Sequence, residues 1–303
     1  MAVKWLPPCV VAPSTRRPEE NQIGTKHKMS LRGKIKFAEI SDTGKVREHN
    51  EDAIGSNPDI GLMVLADGMG GYNAGEVASG IAVQTITELA AEGANREKRN
   101  EVDATTGLMR QSIVLRDAVA RANKIIFQTA QSQTHCEGMG TTLVAAMFYD
   151  NRISLAHVGD SRAYRLRGDR FEQLTLDHSL LQELVDRGFY SEEEAQRSTN
   201  RNYVTRALGV EPTVEVEVQE YDVEPGDVYL LCSDGLPDMV EDEDIHLTIR
   251  TFNASLDVVG QQLVQLTNDH GGRDNVSVML AQVTESFAAR KGILAKLANL
   301  FRK

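Results

Sequence analysis

The chain has few cysteines, few aromatic residues and no long apolar run, and each shortage excludes a class of protein. The three cysteines, Cys9, Cys136 and Cys232, are odd in number and widely spaced, so no disulfide framework or zinc motif follows from them. They fit a reducing cytoplasm. No apolar run approaches the roughly 18 residues of a membrane span. With only 5% aromatic residues and a net charge of −11, binding to nucleic acid is not expected.

The sequence divides into a leader, one long domain and a basic tail. Residues 1–32 are broken by proline and are expected to be a disordered leader. Residues 33–284 contain no repeat and no low-complexity tract, so we expect a single domain there. Its polar segment 178–209 is expected to be a flap-like insertion. Residues 285–303 are expected to form a basic amphipathic helix, which could pack on the domain, dock on a partner or contact a membrane surface.

Runs of strands broken by helices predict an α+β fold rather than a βαβ fold. Apolar periodicity predicts the elements, and short turns such as Asp150-Asn151 favour antiparallel pairing. The predicted strands are 35–41, 61–66, 141–149, 152–158, 162–166, 214–222, 228–232 and 275–283, and the predicted helices are 74–92, 107–131 and 255–268.

Acidic residues occupy four separate corners of this pattern, and three of the corners are Asp-Gly or Asp-Asn pairs next to a predicted strand. The acids are Glu51 and Asp52, Asp67, Asp234, and Asp274. Two carboxylates about 4 Å apart repel by roughly 4 kcal/mol at an effective dielectric near 20. Hard divalent cations such as Mg²⁺ and Mn²⁺ relieve this repulsion best. Although each corner alone is also typical of an ordinary turn, the set predicts a two-metal hydrolase.

Seven motifs in a fixed order extend this prediction. They are SDTGKVREHNEDA (41–53), VLADGMGG (64–71), GMGTTL (138–143), AHVGDSRAY (156–164), LTLDHSL (174–180), LLCSDGL (230–236) and GGRDNVSV (271–278). Over about residues 35–284 the chain resembles the metal-dependent serine/threonine protein phosphatases, the PPM or protein phosphatase 2C-like family, in its bacterial form. The resemblance implies a four-layer sandwich, in which two stacked antiparallel sheets are flanked by pairs of helices.

The resemblance also implies a centre with two Mn²⁺ or Mg²⁺ ions. Asp67 matches the carboxylate that bridges the metals, and Gly68 matches a backbone-carbonyl ligand. Arg47 matches the arginine that binds phosphate. Bacterial relatives use a third ion, for which Glu137 is a candidate ligand together with Asp234, although an exposed loop glutamate is the plain alternative. The remaining matched metal-binding positions are Glu51, Asp52, Asp234 and Asp274, and Asn275 is expected to orient the loop of Asp274.

Other polar residues in the motifs have plainer interpretations. Animal members carry a histidine as a proposed general acid where this chain has Met69. His178 is a candidate proton donor, but a hydrogen-bonded structural histidine is the favoured interpretation. The sequence around Asp160 and Ser161 indicates a hairpin turn, and no histidine is placed by sequence to activate Ser161, so catalysis by a nucleophilic serine is not expected.

The resemblance predicts an enzyme that hydrolyses phosphoserine and phosphothreonine in proteins. A hydroxide bridging the two ions would attack phosphorus directly, and the enzyme would reverse signalling by a cognate serine/threonine kinase in the cytoplasm. Two alternatives are a catalytically dead scaffold, which would lack one of the acidic ligands, and a nuclease, which would need a basic track or stacking aromatics. The sequence keeps the acids and lacks the basic track.

Overall fold

Two antiparallel sheets and five α-helices account for the regular structure of the described residues. The computed structural model describes residues 31–71, 74–96, 101–191, 194 and 203–288. The strands are β1 Ile35–Asp42, β2 Asp52–Asn57, β3 Leu62–Met69, β4 Gly140–Thr141, β5 Leu143–Tyr149, β6 Arg152–Val158, β7 Arg162–Arg167, β8 Arg170–Gln173, β9 Glu217–Asp222, β10 Val228–Cys232 and β11 Val276–Val283. The helices are α1 Ala74–Arg96, α2 Arg110–Ser132, α3 Leu180–Asp186, α4 Asp242–Thr251 and α5 Leu256–Asp269, with a 3₁₀ turn at Thr134–Cys136.

The first sheet has the strand order β1-β11-β10-β7-β8, and the second has the order β2-β3-β5-β6-β9 with β4 paired to β3. Three apolar clusters separate the layers. One lies between α1, α2 and the second sheet, one between the two sheets, and one between the first sheet and α4 with α5. The predicted α+β four-layer sandwich is therefore confirmed.

Strand β3 shows why the central strands are continuously apolar. Leu62 and Val64 belong to the cluster with α1 and α2, whereas Met63 and Leu65 belong to the cluster between the sheets. Because side chains alternate between the two faces of a strand, burial of both faces requires an unbroken apolar run. This run carries the chain to Asp67 at the far end of the strand.

The folded part extends slightly beyond the expected limits of 33–284. Leu31 is only 3% exposed and packs between the sheets with Phe287, which is fully buried. Residues 1–30, from the expected leader, and residues 289–303, from the expected C-terminal helix, lie outside the described part of the chain. Of the helices described, none is both long and apolar enough to span a bilayer.

The segment 178–209, expected to be a flap-like insertion, is described only in part. It contains α3, where Ser179 accepts a hydrogen bond from the backbone N–H of Gln182 at 3.2 Å, as an N-cap does. Its chain returns beside its start, because the N–H of Leu180 donates to Tyr203 O at 2.9 Å. Residues 192–193 and 195–202 of the segment lie outside the described residues.

Candidate metal centre

Acidic side chains from both sheets meet at one end of the sandwich. Asp52 and Asp67 lie directly opposite each other in the register of β2 and β3. The hydroxyl of Ser233, next to Asp234, donates to Asp52 Oδ2 at 2.8 Å and so joins the loop after β10 to the second sheet. Asp274 stands just before β11, the neighbour of β10. The structure therefore brings together four carboxylates that are far apart in the sequence.

The pKa values show how strongly these groups repel one another. Burial, followed by repulsion from Asp52 and Asp234, raises the pKa of Asp67 well above its ordinary value. Burial also raises the pKa of Asp234, and among its charged neighbours Asp160 contributes most to the increase. Burial raises the pKa of Asp52 to about 6, even though hydrogen bonding opposes the shift. The cluster is unfavourable when all its members are ionised and no cation is present.

The donor set fits divalent cations. Asp52 Oδ1 and Asp234 Oδ1 are buried and have no hydrogen-bond partner in the described residues. Buried polar atoms are usually paired, so two orphaned carboxylate oxygens in one cluster call for a ligand. Carboxylate oxygens are what Mg²⁺ and Mn²⁺ prefer.

Gly68 is held in a space that admits no side chain. A Cβ at this position would lie 2.2 Å from Gly75 O at the start of α1 and 2.6 Å from Glu51 O. The N–H of Gly68 donates to Glu51 O at 3.1 Å. The carboxylate of Glu51 lies over α1, since a Cβ on Gly75 would come within 2.8 Å of Glu51 Cδ. Only glycine allows Glu51, Asp67 and the helix to approach this closely.

Asn275 connects the loop of Arg47 to the start of β11. Its side chain accepts from the N–H of Glu51 at 2.8 Å and donates to Thr43 O at 3.0 Å and to His49 O at 2.9 Å. Arg47, in the same loop, donates to Asp274 Oδ2 at 2.7 Å with its side chain 52% exposed. The predicted phosphate-binding arginine therefore lies against a predicted metal ligand, as a cation facing the acidic cluster.

The GTT motif forms hydrogen bonds to the backbone of Asp67. The N–H of Thr142 donates to Asp67 O at 2.8 Å, and the hydroxyl of Thr141 donates to the same oxygen at 2.8 Å. The hydroxyls of Thr142 and Ser161 are hydrogen-bonded to each other at 2.7 Å. Ser161 is 1% exposed, which agrees with the expectation that it is not a nucleophile.

Asp160 belongs to the acidic cluster, although the sequence indicated only a turn. It is 8% exposed, and its charge contributes to the raised pKa of both Asp67 and Asp234. Burial, followed by repulsion from Asp177, raises the pKa of Asp160 itself to about 6. The available signal was its place two residues after the buried strand β6, which matches the place of Asp234 after β10.

The structure gives different results for Glu137 and His178, two residues for which the sequence leaves alternatives open. Glu137 is exposed beside the 3₁₀ turn, and within the described residues no contact joins its side chain to Asp234, so its role stays a prediction. His178 accepts from the N–H of Gly159 at 3.1 Å and stacks on His157 with ring centroids 4.6 Å apart. These contacts support the structural interpretation of His178.

Comparisons with known proteins agree with this geometry. A family model described as Protein phosphatase 2C matches residues 44–275. The chain is 39% identical to the serine/threonine phosphatase stp of Listeria innocua over 248 residues, which cover 80% of this chain and 93% of that protein. It is 37% identical to the serine/threonine protein phosphatase PstP of Mycobacterium tuberculosis over 83% of this chain but 45% of that protein.

Solved structures show the same similarity. The crystal structure of the M. tuberculosis phosphatase PstP/Ppp has a TM-score of 0.74 and 36% identity, with 83% of this chain and 99% of that chain covered. The PstP catalytic domain in complex with two manganese ions has a TM-score of 0.71 and 36% identity over the same shares of the two chains.

Replacement of Asn275 by alanine should destabilise the protein by about 2 kcal/mol, because it leaves one N–H and two carbonyl groups without their partner. The measurement is the free energy of unfolding in urea. Asn253→Ala, at an exposed turn asparagine, is the matched control. A loss of stability in Asn275→Ala no larger than that in the control would show that the three hydrogen bonds of the Asn275 side chain contribute nothing.

The raised carboxyl pKa values predict an unusual pH dependence for the metal-free protein. Groups whose pKa is higher in the folded state bind protons on folding, so their stabilising effect is lost as pH rises through the folded value. Because the pKa of Asp52 is raised to about 6, the free energy of unfolding should fall between about pH 4 and pH 7. Manganese should raise the Tm strongly at pH 7.5 and weakly at pH 5, where protons compete for the ligands. Scanning calorimetry with manganese or EDTA tests this, and equal shifts at both pH values would contradict it.

Proposed function

The chain belongs to the protein phosphatase 2C family and is a serine/threonine phosphatase, and we propose that it hydrolyses phosphoserine and phosphothreonine in proteins with two divalent cations. The observation that carries this proposal is the convergence of buried carboxylates from both sheets, two of which have an unpartnered oxygen. Such a cluster is suited to holding cations near a phosphoryl group. The manganese-bound PstP structure, a related fold, supports the choice of manganese, and magnesium shares its preference for oxygen ligands.

We assign the ligands from the strand ends. Asp67, the backbone carbonyl of Gly68 and the carboxylates of Asp234 and Asp274 would hold the ions. Asp52 and Glu51 would hold metal directly or through water. When bound, two Mn²⁺ or Mg²⁺ ions would activate water for attack near neutral pH and offset the charge of the phosphate. Glu137 with Asp234 is the proposed ligand pair for a third ion.

The residues of the chain then have separate tasks. Thr141 and Thr142 fix the backbone of Asp67, so its carboxylate is held in place before substrate arrives. Arg47 is half-exposed and already oriented toward the cluster by Asp274, and its planar fork suits the oxygens of a phosphoryl group. Because Ser161 is buried and engaged with Thr142, direct attack on phosphorus without a covalent enzyme intermediate is the proposed route.

The cellular setting is also part of the proposal. Cys136 and Cys232 are buried free thiols, which suits a reducing compartment, so we place the enzyme in the cytoplasm. Its substrates would be proteins phosphorylated by a cognate serine/threonine kinase, so that the enzyme ends that kinase's signal. The tail 285–303 is proposed to contact this domain or a partner, with a membrane surface as the less favoured target.

Asp67→Asn tests the assignment most simply. The exchange keeps the size of the side chain but removes its negative charge, so manganese-dependent phosphate release from a phosphothreonine peptide should fall roughly 10³-fold. Its metal-free form should be no less stable than the parent, because one repelling charge has left the buried cluster.

Asp117→Asn, at an exposed acid on α2, is the control and should keep the parent rate. Phosphate release and thermal unfolding are measured on the same preparations, so that misfolding is separated from loss of chemistry. A variant at Asp67 with parent activity would rule out the proposed centre.

A further inference from the structure

A buried asparagine on α2 takes no part in the proposed chemistry. Asn123 is 1% exposed, and it lies in the middle of a helix whose apolar face packs on the second sheet. An amide side chain is costly to bury unless it is hydrogen-bonded, and asparagine is a poor helix former. Its presence inside α2 therefore calls for a specific partner outside the helix.

The partner of Asn123 is the chain at the end of segment 178–209. Asn123 Oδ1 accepts from the N–H of Gly209 at 2.8 Å, and Asn123 Nδ2 donates to Glu211 O at 3.1 Å. Gly209 has a left-handed backbone with a φ of +87°, and a Cβ there would come within 2.3 Å of Ile126 Cγ2, one turn further along α2. The backbone of Gly209 therefore lies directly against the helix, and two hydrogen bonds from Asn123 anchor it there.

The anchored chain is also paired with the GTT motif. The N–H of Leu208 donates to Thr141 O at 2.8 Å, and the N–H of Thr141 donates to Leu208 O at 3.1 Å. Thr141 belongs to β4, where it lies opposite Gly68 of β3, and its hydroxyl donates to Asp67 O at 2.8 Å. Leu208 is fully buried, so water does not compete for this pairing. A continuous set of contacts therefore runs from α2 to two of the predicted metal ligands.

We propose that Asn123 is a positioning residue for the metal centre. It holds residues 208–211 against α2, and these residues keep Thr141 in place. Thr141 in turn positions the backbone of Asp67 and Gly68. The inference rests on the proposed phosphatase function and adds a residue on α2 to its machinery. Both hydrogen bonds of Asn123 go to residues 208–211 rather than to a predicted ligand, so its effect reaches the centre through Thr141.

Replacement of Asn123 by leucine tests this role, because leucine has the same branching of heavy atoms but forms neither hydrogen bond. The dissociation constant for manganese is measured on the full chain by isothermal titration calorimetry. Groups that orient metal ligands commonly contribute tenfold or more to metal affinity, so the constant should rise about tenfold. The KM for a phosphothreonine peptide at saturating manganese should stay near that of the parent, because the substrate contacts are unchanged.

Asn123→Asp is the milder variant, and it provides the comparison if the leucine variant does not fold. It keeps an acceptor for the N–H of Gly209 but loses the amide donor to Glu211 O. Its dissociation constant for manganese should therefore lie between those of the parent and of Asn123→Leu.

Asn151→Ala is the matched control. Asn151 also anchors a neighbouring chain, because its Oδ1 accepts from the N–H of Phe287 at 2.6 Å. It lies in the turn after β5, whereas the GTT motif lies at the start of that strand. The control should lose stability in urea but keep the parent's dissociation constant for manganese, so that loss of stability is separated from loss of positioning.

Thr141→Val tests the route from Asn123 to the centre, because it removes the hydroxyl that donates to Asp67 O. Substitutions at independent sites have additive free energies, so their increases in the dissociation constant multiply. Since the two residues belong to one set of contacts, the increase in the double variant Asn123→Leu with Thr141→Val should be well below the product of the separate increases.

The outcomes separate the positioning role from the proposed function. Dissociation constants in both Asn123 variants no higher than that of Asn151→Ala would overturn the positioning role and leave the phosphatase intact. Full multiplication of the two increases in the double variant would also overturn it. Absence of both manganese binding and phosphate release in the parent chain would instead remove the proposed function, and the positioning role with it.

Discussion

Repulsion among buried carboxylates is the constraint on which the site depends. Asp52, Asp67 and Asp234 lie where desolvation penalises their charged forms. Repulsion from neighbouring carboxylates raises the pKa of each of them further. A protein has two ways to stabilise such a cluster: it can keep the groups protonated, or it can bind cations. At neutral pH the second way gives a site that is ready for a phosphoryl group. In the proposed site, the instability of the ion-free cluster would be the source of its affinity for metal.

The sandwich makes this arrangement possible, because it holds the carboxylates on rigid supports. Strands β3 and β10 are buried on both faces, so their ends cannot move apart to relieve the repulsion. Packing of this density resists displacement. Contacts around the cluster restrict it further, including the Ser233 bond to Asp52 and the three side-chain bonds of Asn275. Stability from the apolar layers therefore offsets the electrostatic cost of the site.

Much of the fold was predictable because burial on both faces leaves a clear pattern in the sequence. Strands β6 and β10 were predicted with their observed limits, since each is an apolar run bounded by turns. By contrast, β2 is half-buried throughout, and α4 buries only Ile245 and Ile249. Neither leaves a strong periodic signal, and neither was predicted.

The site was predictable in its residue types but not in all its contacts. The family resemblance and the Asp-Gly and Asp-Asn pairs beside predicted strands indicated Asp67, Asp234 and Asp274. The role of Asp160 instead depends on burial that a turn motif does not reveal. The pairing of Arg47 with Asp274 joins residues 227 positions apart, and only the tertiary structure brings them together.

Anomalous scattering from crystals grown with manganese tests the central claim most directly. Data collected near the manganese edge locate bound ions without reference to the protein atoms. The account predicts two peaks between the carboxylates of Asp67, Asp234 and Asp274, with Asp67 in contact with both, and their loss in crystals treated with EDTA. Fully ordered carboxylates with no manganese peak between them would contradict it.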